Sequence, residues 1–145
     1  MTYLKYRSRK GESTELISAR VQIQHVEYSE NNSFVFGRFI NSALETFIHD
    51  LQTEYNIKNE VYWLTYSGRY LTGYETDGRG SVQKMIRIRA DLLQYLRMNK
   101  YKVNTAINLA CDRWKKYREQ GNVADWKILE ITNVRERDNI RIRKP

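Results

Sequence analysis

The sequence predicts an α+β fold. Two long stretches carry apolar residues at helical spacing, and a short run in which polar and apolar residues alternate precedes each of them. With 145 residues, 41% of them hydrophobic, the chain is long enough to build a core of its own. We therefore expect strands and helices within one domain, or within two small domains that share a core.

The N-terminal half is predicted to contain a basic arm (1–15), then a strand, a helix and a β-hairpin (16–80). The strand is expected to extend from Leu16 to Tyr28, and the helix to extend from about Asn41 to Tyr55. No helix is expected between the two. The aromatic stretch from Val61 to Tyr74 has the composition of a hairpin, and we expect it to form two strands.

The C-terminal half is predicted to contain a strand, a short helix and a long helix (81–121), followed by a strand and a basic tail (122–145). The first strand, from Val82 to Arg89, alternates aliphatic and basic side chains. Asp91 is expected to cap the short helix, and Gly121 is expected to end the long one. Residues from Trp126 to Ile131 are predicted to be extended.

One short pattern occurs twice, once at the start of each predicted long helix. Ile40–Leu44 and Val103–Ile107 both consist of an apolar residue, Asn, a hydroxyl residue, Ala and an apolar residue. Since an alternating run precedes each copy, the pattern predicts two related strand–helix units in one chain.

The order strand, short helix, turn and long helix between Gln83 and Gly121 resembles the ribbon-helix-helix family of repressors, the Arc and MetJ type. The resemblance rests on Lys84–Arg89, Asp91–Leu96 and Lys102–Ile107. It implies that two strands pair as a β-ribbon in the major groove of duplex DNA, where base edges are distinguishable. It also implies that the start of the long helix binds phosphate.

The site residues expected from this resemblance fall into two groups. The base contacts are expected from Met85, Arg87 and Arg89, and from Gln22 and Gln24 in the first copy. The phosphate contacts are expected from residues at or near the two long-helix starts, namely Lys84, Lys100, Lys102, Val103, Asn104, Thr105, Asn41 and Ser42.

The sequence is compatible with two arrangements of the ribbon. In a tandem pseudo-dimer, the strand around Gln22–Gln24 pairs with the strand around Arg87–Arg89 of the same chain. If only the second copy is real, the unit is a homodimer or higher oligomer that pairs two copies of Lys84–Arg89.

The charge distribution favours a polyanionic partner for the second half. Residues 1–80 hold 9 Lys or Arg and 10 Asp or Glu, a net charge of −1, whereas residues 81–145 hold 16 and 7, a net charge of +9. The single cysteine, Cys111, lies on the apolar stripe of a predicted helix and is expected to be buried. The two histidines, His25 and His49, stand far apart and indicate no metal site.

These observations predict a cytoplasmic, non-enzymatic protein that binds duplex DNA as a transcriptional regulator of a mobile element such as a phage or plasmid. No cofactor, membrane segment or small-molecule substrate is expected. One alternative is an RNA or single-strand binder that uses the aromatic hairpin and the basic tail. Another alternative is a protein-interaction or inhibitor module.

Overall fold

The computed structural model of the protein describes residues 13–65 and 78–133. Within these residues the chain forms one two-stranded antiparallel sheet and six helices, which confirms the α+β class. In chain order, the elements are β1 (Thr14–Gln22), α1 (Ile23–Asn31), α2 (Phe36–Thr53), α3 (Lys58–Thr65), β2 (Ser81–Arg89), α4 (Ala90–Met98), α5 (Val103–Glu119) and α6 (Asp125–Ile131).

The two strands pair with each other inside one chain. Their register runs from the pair Thr14–Arg89 to the pair Gln22–Ser81, so all nine residues of each strand are matched. We call this pair of strands the ribbon. A lone strand cannot satisfy its backbone hydrogen bonds, and here each strand obtains its partner from the other half of the sequence.

The chain is a structural repeat with a constant spacing of 67 residues. The first-half elements β1, α1, α2 and α3 begin at residues 14, 23, 36 and 58, and their counterparts β2, α4, α5 and α6 begin at 81, 90, 103 and 125. We refer to residues 14–65 as the first half and to residues 81–132 as the second half. Each half is a strand followed by three helices.

The turn between the short and the long helix is also repeated. The side chains of Asn32 and Asn99 each donate to a carbonyl four residues earlier, those of Tyr28 and Tyr95, both at 2.8 Å. The residue after each Asn is left-handed, with φ of 57° at Ser33 and 58° at Lys100. The same turn thus forms twice although the local sequences differ.

The core lies between the two long helices and the inner side of the ribbon. Helices α2 and α5 pack against each other, while β1 packs on α5 and β2 packs on α2. Each strand therefore lies against the long helix of the other half. An aromatic cluster fills one end of the core, with Phe39 and Trp114 at its centre, 5.2 Å apart between ring centroids.

The structure corrects two boundaries predicted for the first half. Residues 23–31 form α1, not an extension of the strand to Tyr28. Buried His25, Val26 and Ser29 lie on one helical face, which packs near α2. Helix α2 begins at Phe36, five residues before Asn41, because Val35 is extended and already serves as its N-cap.

Two segments predicted to be extended are helical. Residues 61–65 belong to α3 and not to a hairpin strand, and residues 126–131 belong to α6. These two helices are counterparts in the repeat. The carbonyl of Leu64 accepts from the Lys102 amide at 3.1 Å, and the carbonyl of Ile131 accepts from the Val35 amide at 2.6 Å. Contact with a long-helix N-terminus thus outweighs the β propensity of the aromatic residues.

Other predicted segments lie outside the described residues. They are most of the basic arm (1–12), the remainder of the predicted hairpin (66–74) and the basic tail (134–145). Residues 14 and 15, which the sequence predicts to lie in the arm, are the first two residues of β1. In residues 13–65 and 78–133, the helices lack the combined length and apolar character that a membrane span requires.

Candidate nucleic-acid interface

One side of the ribbon carries a row of exposed side chains. Side chains alternate along a strand, so buried Ala19, Val21, Ile86 and Ile88 point inward, while Ser18, Arg20, Met85 and Arg87 point outward. Met85 is 63% exposed and Leu16 is 49% exposed, both high values for large apolar side chains. We define the outer face as six of the eight exposed residues of the two strands, namely Leu16, Ser18, Arg20, Gln83, Met85 and Arg87.

The outer face consists of three cross-strand pairs. Ser18 lies opposite Met85 at the middle, Leu16 lies opposite Arg87 at one end, and Arg20 lies opposite Gln83 at the other. Ser18 and Met85 are also repeat counterparts, 67 residues apart, so a pseudo-two-fold axis passes through this pair. As a result, each end of the outer face carries one arginine.

Contacts on the outer face hold some of its polar groups in place. The Gln83 side chain donates to the hydroxyl of Ser18, and the guanidinium of Arg20 approaches the carbonyl of Ser81 at 3.4 Å. Both contacts cross from one strand to the other. They position the end of the outer face formed by Arg20 and Gln83.

The start of each long helix lies beside one strand of the ribbon. The side-chain oxygen of Asn104, in the first turn of α5, accepts from the backbone amide of Arg20 at 3.2 Å. Its repeat counterpart in α2 is Gly37, where an added Cβ would lie 3.9 Å from the carbonyl of Arg87. The two helix starts therefore stand next to the two outward arginines.

These helix starts have the chemistry of anion-binding sites. The first N–H groups of a helix have no acceptor within the helix and lie at the positive end of its dipole. The structure shows no side-chain hydrogen bond from the N-cap of α2 or of α5, which are Val35 and Lys102. Lys102 is exposed at the start of α5, and the Lys84 ammonium lies 5.9 Å from the Phe36 ring centroid at the start of α2.

One carboxylate on the ribbon is neutralised by an arginine of α4. Arg97 donates to both oxygens of Glu15, at 2.9 and 2.6 Å. These hydrogen bonds hold the pKa of Glu15 below its ordinary value. The negative charge of Glu15 is thus locally compensated and opposes a polyanion less than a free carboxylate would.

The structure places some predicted site residues as expected. Met85 and Arg87 lie on the outer face, and Val103, Asn104 and Thr105 form the first turn of α5. Lys100 and Lys102 are exposed beside that turn.

Arg89 does not project outward, and this prediction is wrong. Its side chain is 2% exposed and its guanidinium contacts Glu45 at 2.9 Å and Asp91 at 2.5 Å. Alternation alone would place Arg89 on the side of Arg87. At the last residue of the strand, however, the side chain turns into the molecule to pair with two carboxylates.

The expected positions of Gln22 and Gln24 are also wrong. Gln22 is 7% exposed at the end of β1 and is the repeat counterpart of Arg89. Gln24 lies in α1, and its side chain donates to that of Gln22. The two glutamines therefore do not line one side of a strand, because the strand ends at Gln22.

Asn41 and Ser42 lie in the second turn of α2 and not at its start. Both are buried, and the Asn41 side chain binds the backbone of β2. Asn41 thus stabilises the ribbon, and neither residue presents the free N–H groups of a helix N-terminus.

Four outer-face residues were not among the predicted base contacts. They are Leu16, Ser18 and Arg20 in β1, and Gln83 in β2. In β2, every second residue counted back from Arg87 gives Met85 and Gln83. Subtracting the 67-residue spacing from these three positions gives Arg20, Ser18 and Leu16 in β1. The sequence pattern alone predicts a different spacing, since the two Asn–hydroxyl–Ala triplets are 63 residues apart.

No group of three or more His, Cys, Asp or Glu residues that could hold a metal ion occurs within the described ranges. No protein-family model, no curated protein and no solved structure matches this chain.

Proposed function

We propose that the protein binds duplex DNA by inserting its ribbon into the major groove, as a ribbon-helix-helix unit that a single chain completes. The observation that carries this proposal is the outer face, an exposed antiparallel ribbon surface with one arginine at each end. A two-stranded ribbon has the dimensions of the major groove, and arginine forms bidentate bonds with the guanine edge.

The helix starts support the proposal independently. Two phosphate sites that flank a ribbon would fix its register on the duplex without contributing sequence preference. Here the first turns of α2 and α5 contact β2 and β1, next to Arg87 and Arg20. The pseudo-symmetric pair of helix starts matches the two DNA strands that border one groove.

Each group of residues then has a chemical role. Arg20 and Arg87 bind guanine, Gln83 binds adenine, and the exposed side chains of Leu16 and Met85 contact thymine methyl groups.

The first turn of α5, with Lys100 and Lys102, binds phosphate, as does the first turn of α2 with Lys84. We further propose that this activity serves transcriptional regulation, as the resemblance implies, and that the regulator is one of a mobile element.

The proposal is tested by comparing Arg87→Ala and Lys102→Ala with the wild-type chain. A cognate duplex is first selected from random sequences, and affinities are then measured for it and for a random duplex of equal length. Arg87→Ala is expected to reduce the cognate preference by about tenfold, because one base contact is worth roughly 1–3 kcal/mol. Lys102→Ala is expected to weaken both duplexes equally and to lower the salt slope by about one.

Lys116→Ala is the matched control. Lys116 is exposed on the same helix, and roughly 20 Å of helix separates it from Val103. Its removal changes the net charge by the same amount and is expected to change affinity little. Equal losses of preference from Arg87→Ala and Lys102→Ala would contradict recognition by the ribbon, and tighter binding to single strands than to the duplex would contradict the proposed substrate.

A further inference from the structure

We infer that the chain recognises a non-palindromic DNA site, in one fixed orientation, with one chain per site. This inference rests on the proposed function. It follows from the differences between the two ends of the outer face and between the two helix starts.

Symmetry of a binding surface is transferred to the sequence that it recognises. A ribbon made from two identical chains presents the same side chains at both ends, so it favours a DNA site with two-fold symmetry. The ribbon of this chain has the backbone symmetry of such a pair but draws its strands from two different sequences. The backbone symmetry can thus persist while the recognised base pairs differ.

The two ends of the outer face share one residue type and differ in the other. Arg20 and Arg87 are repeat counterparts, so a guanidinium is present at both ends. Beside Arg20 lies Gln83, an amide that can bind an adenine edge, whereas beside Arg87 lies Leu16, which can contact only apolar groups. We expect the guanine contact to be common to both half-sites and the neighbouring base pair to differ.

The centre of the outer face differs too. The pseudo-two-fold axis passes through the Ser18–Met85 pair, where a small hydroxyl side chain faces a long thioether. A two-fold axis at this position would require two identical residues. The central base pairs therefore also meet different side chains on the two strands.

The phosphate-binding elements differ in the same sense. The end with Arg20 and Gln83 lies beside the start of α5, which carries Lys102 and Asn104. The end with Leu16 and Arg87 lies beside the start of α2, where the counterparts are Val35 and Gly37. The two ends thus differ in their base-binding side chains and in the positions of their flanking cations, which are Lys102 at the start of α5 and Lys84 and Arg38 at the start of α2.

The test is a selection from random duplexes with three proteins. They are the wild-type chain, the double variant Leu16→Gln/Ser18→Met, and the double variant Gln83→Leu/Met85→Ser. The first variant places Gln, Met and Arg on both strands of the outer face, and the second places Leu, Ser and Arg on both. All four positions are exposed, so each variant is expected to fold, which thermal unfolding verifies.

The wild-type chain is expected to select a motif that differs from its own reverse complement. Each variant is expected to select a self-complementary motif, with the two variants selecting different ones. On duplexes that carry these motifs, we expect wild type and variant each to prefer its own by about tenfold. The mass of the wild-type complex on the shortest selected duplex is expected to correspond to one chain.

Two outcomes would overturn the inference while leaving the proposed function intact, namely a self-complementary wild-type motif and two chains on the shortest duplex. Symmetrised variants that retain the wild-type motif would overturn the inference and also the base contacts proposed for Leu16, Gln83 and Met85. Failure of all three proteins to enrich any duplex would instead overturn the proposed function, and the inference with it.

Discussion

Asn41 and Asn108 make the same hydrogen bonds in opposite halves of the chain. The side chain of Asn41 accepts from the amide of Arg89 and donates to the carbonyl of Arg87, both at 2.9 Å. The side chain of Asn108 accepts from the amide of Gln22 at 2.8 Å and donates to the carbonyl of Arg20 at 3.0 Å. Each long helix therefore binds the strand of the other half through one amide.

Replacing either amide is expected to destabilise the fold. Asn41→Ala and Asn108→Ala each leave buried backbone groups of a strand without their partner, at a cost of about 1–3 kcal/mol in the free energy of unfolding. The measurement is urea denaturation. Asn99→Ala is the control, because its side chain is exposed and its bond to the Tyr95 carbonyl is local. A loss no larger than that of the control would show that the two amides do not stabilise the ribbon.

The buried Arg89 is expected to contribute to stability, in contrast to Arg87. Arg89→Gln leaves the buried Glu45 carboxylate without its charged partner, and roughly 3–5 kcal/mol of unfolding free energy is expected to be lost. The double variant Glu45→Gln/Arg89→Gln removes both charges and is expected to recover part of that loss. The measurement is thermal unfolding. Arg87→Ala, on the exposed side of the ribbon, is expected to unfold like wild type. If Arg89→Gln were as stable as Arg87→Ala, the ion pair would have no net role.

The residues that end α2 and α5 form a matched pair for testing backbone strain. Glu54 is left-handed, with φ of 57° and ψ of 31°, at the position where the second half has Gly121, with φ of 76°. Glu54→Gly is expected to stabilise the protein by roughly 0.5–1 kcal/mol because glycine adopts this conformation without a Cβ clash. Gly121→Ala is expected to destabilise it by a similar amount, since strain is the only penalty where nothing lies near the new Cβ. Calorimetric Tm shifts of the same sign in both variants would contradict this assignment.

The Cys111 thiol, in α5, reports on the hydrophobic core. The side chain is fully buried, and burial raises the pKa of the thiol well above its ordinary value. We expect thiol reagents to modify native protein only as fast as it unfolds, and to modify urea-unfolded protein at the rate of a free cysteine. Rapid modification under native conditions, well ahead of global unfolding, would show that this part of the core opens locally.

The contact between Glu15 and Arg97 predicts a specific pH dependence. Because the folded-state pKa of Glu15 is lowered, its contribution to stability is present at neutral pH and is lost as the pH falls through that lowered pKa. Arg97→Ala is expected to return the pKa of Glu15 to its ordinary value and to reduce the loss of stability on acidification. NMR titration of the Glu15 carboxyl measures the pKa directly. An unchanged titration curve in Arg97→Ala would exclude the contact as its cause.

The sequence pattern indicates that the chain contains a repeat, but it does not show which residues of the two copies correspond. The two Asn–hydroxyl–Ala triplets aligned Asn41 with Asn104, whereas the structure makes Asn41 the counterpart of Asn108. The displacement is four residues, about one helical turn, and such a shift leaves apolar positions superimposed on apolar positions. Periodicity therefore cannot distinguish the two alignments. The two alignments are distinguished by the hydrogen bonds that Asn41 and Asn108 make to the strands.

The outward position of Arg87 was predictable from alternation, but the inward position of Arg89 was not. Alternation gives the side of the sheet only while the strand continues, and β2 ends at Arg89. Glu45, whose carboxylate pairs with the Arg89 guanidinium, is distant from Arg89 in sequence, so no local pattern reveals the ion pair. The helical conformation of the aromatic residues in α3 is not predictable from the sequence for a related reason, since a tertiary contact and not local propensity determines it.

The pairing of β1 with β2 inside one polypeptide has a consequence for how the protein responds to dilution. A ribbon assembled from two separate molecules dissociates when their concentration falls below the dissociation constant of the dimer. Here a covalent connection keeps the strands together, so the ribbon stays assembled even at a few copies per cell.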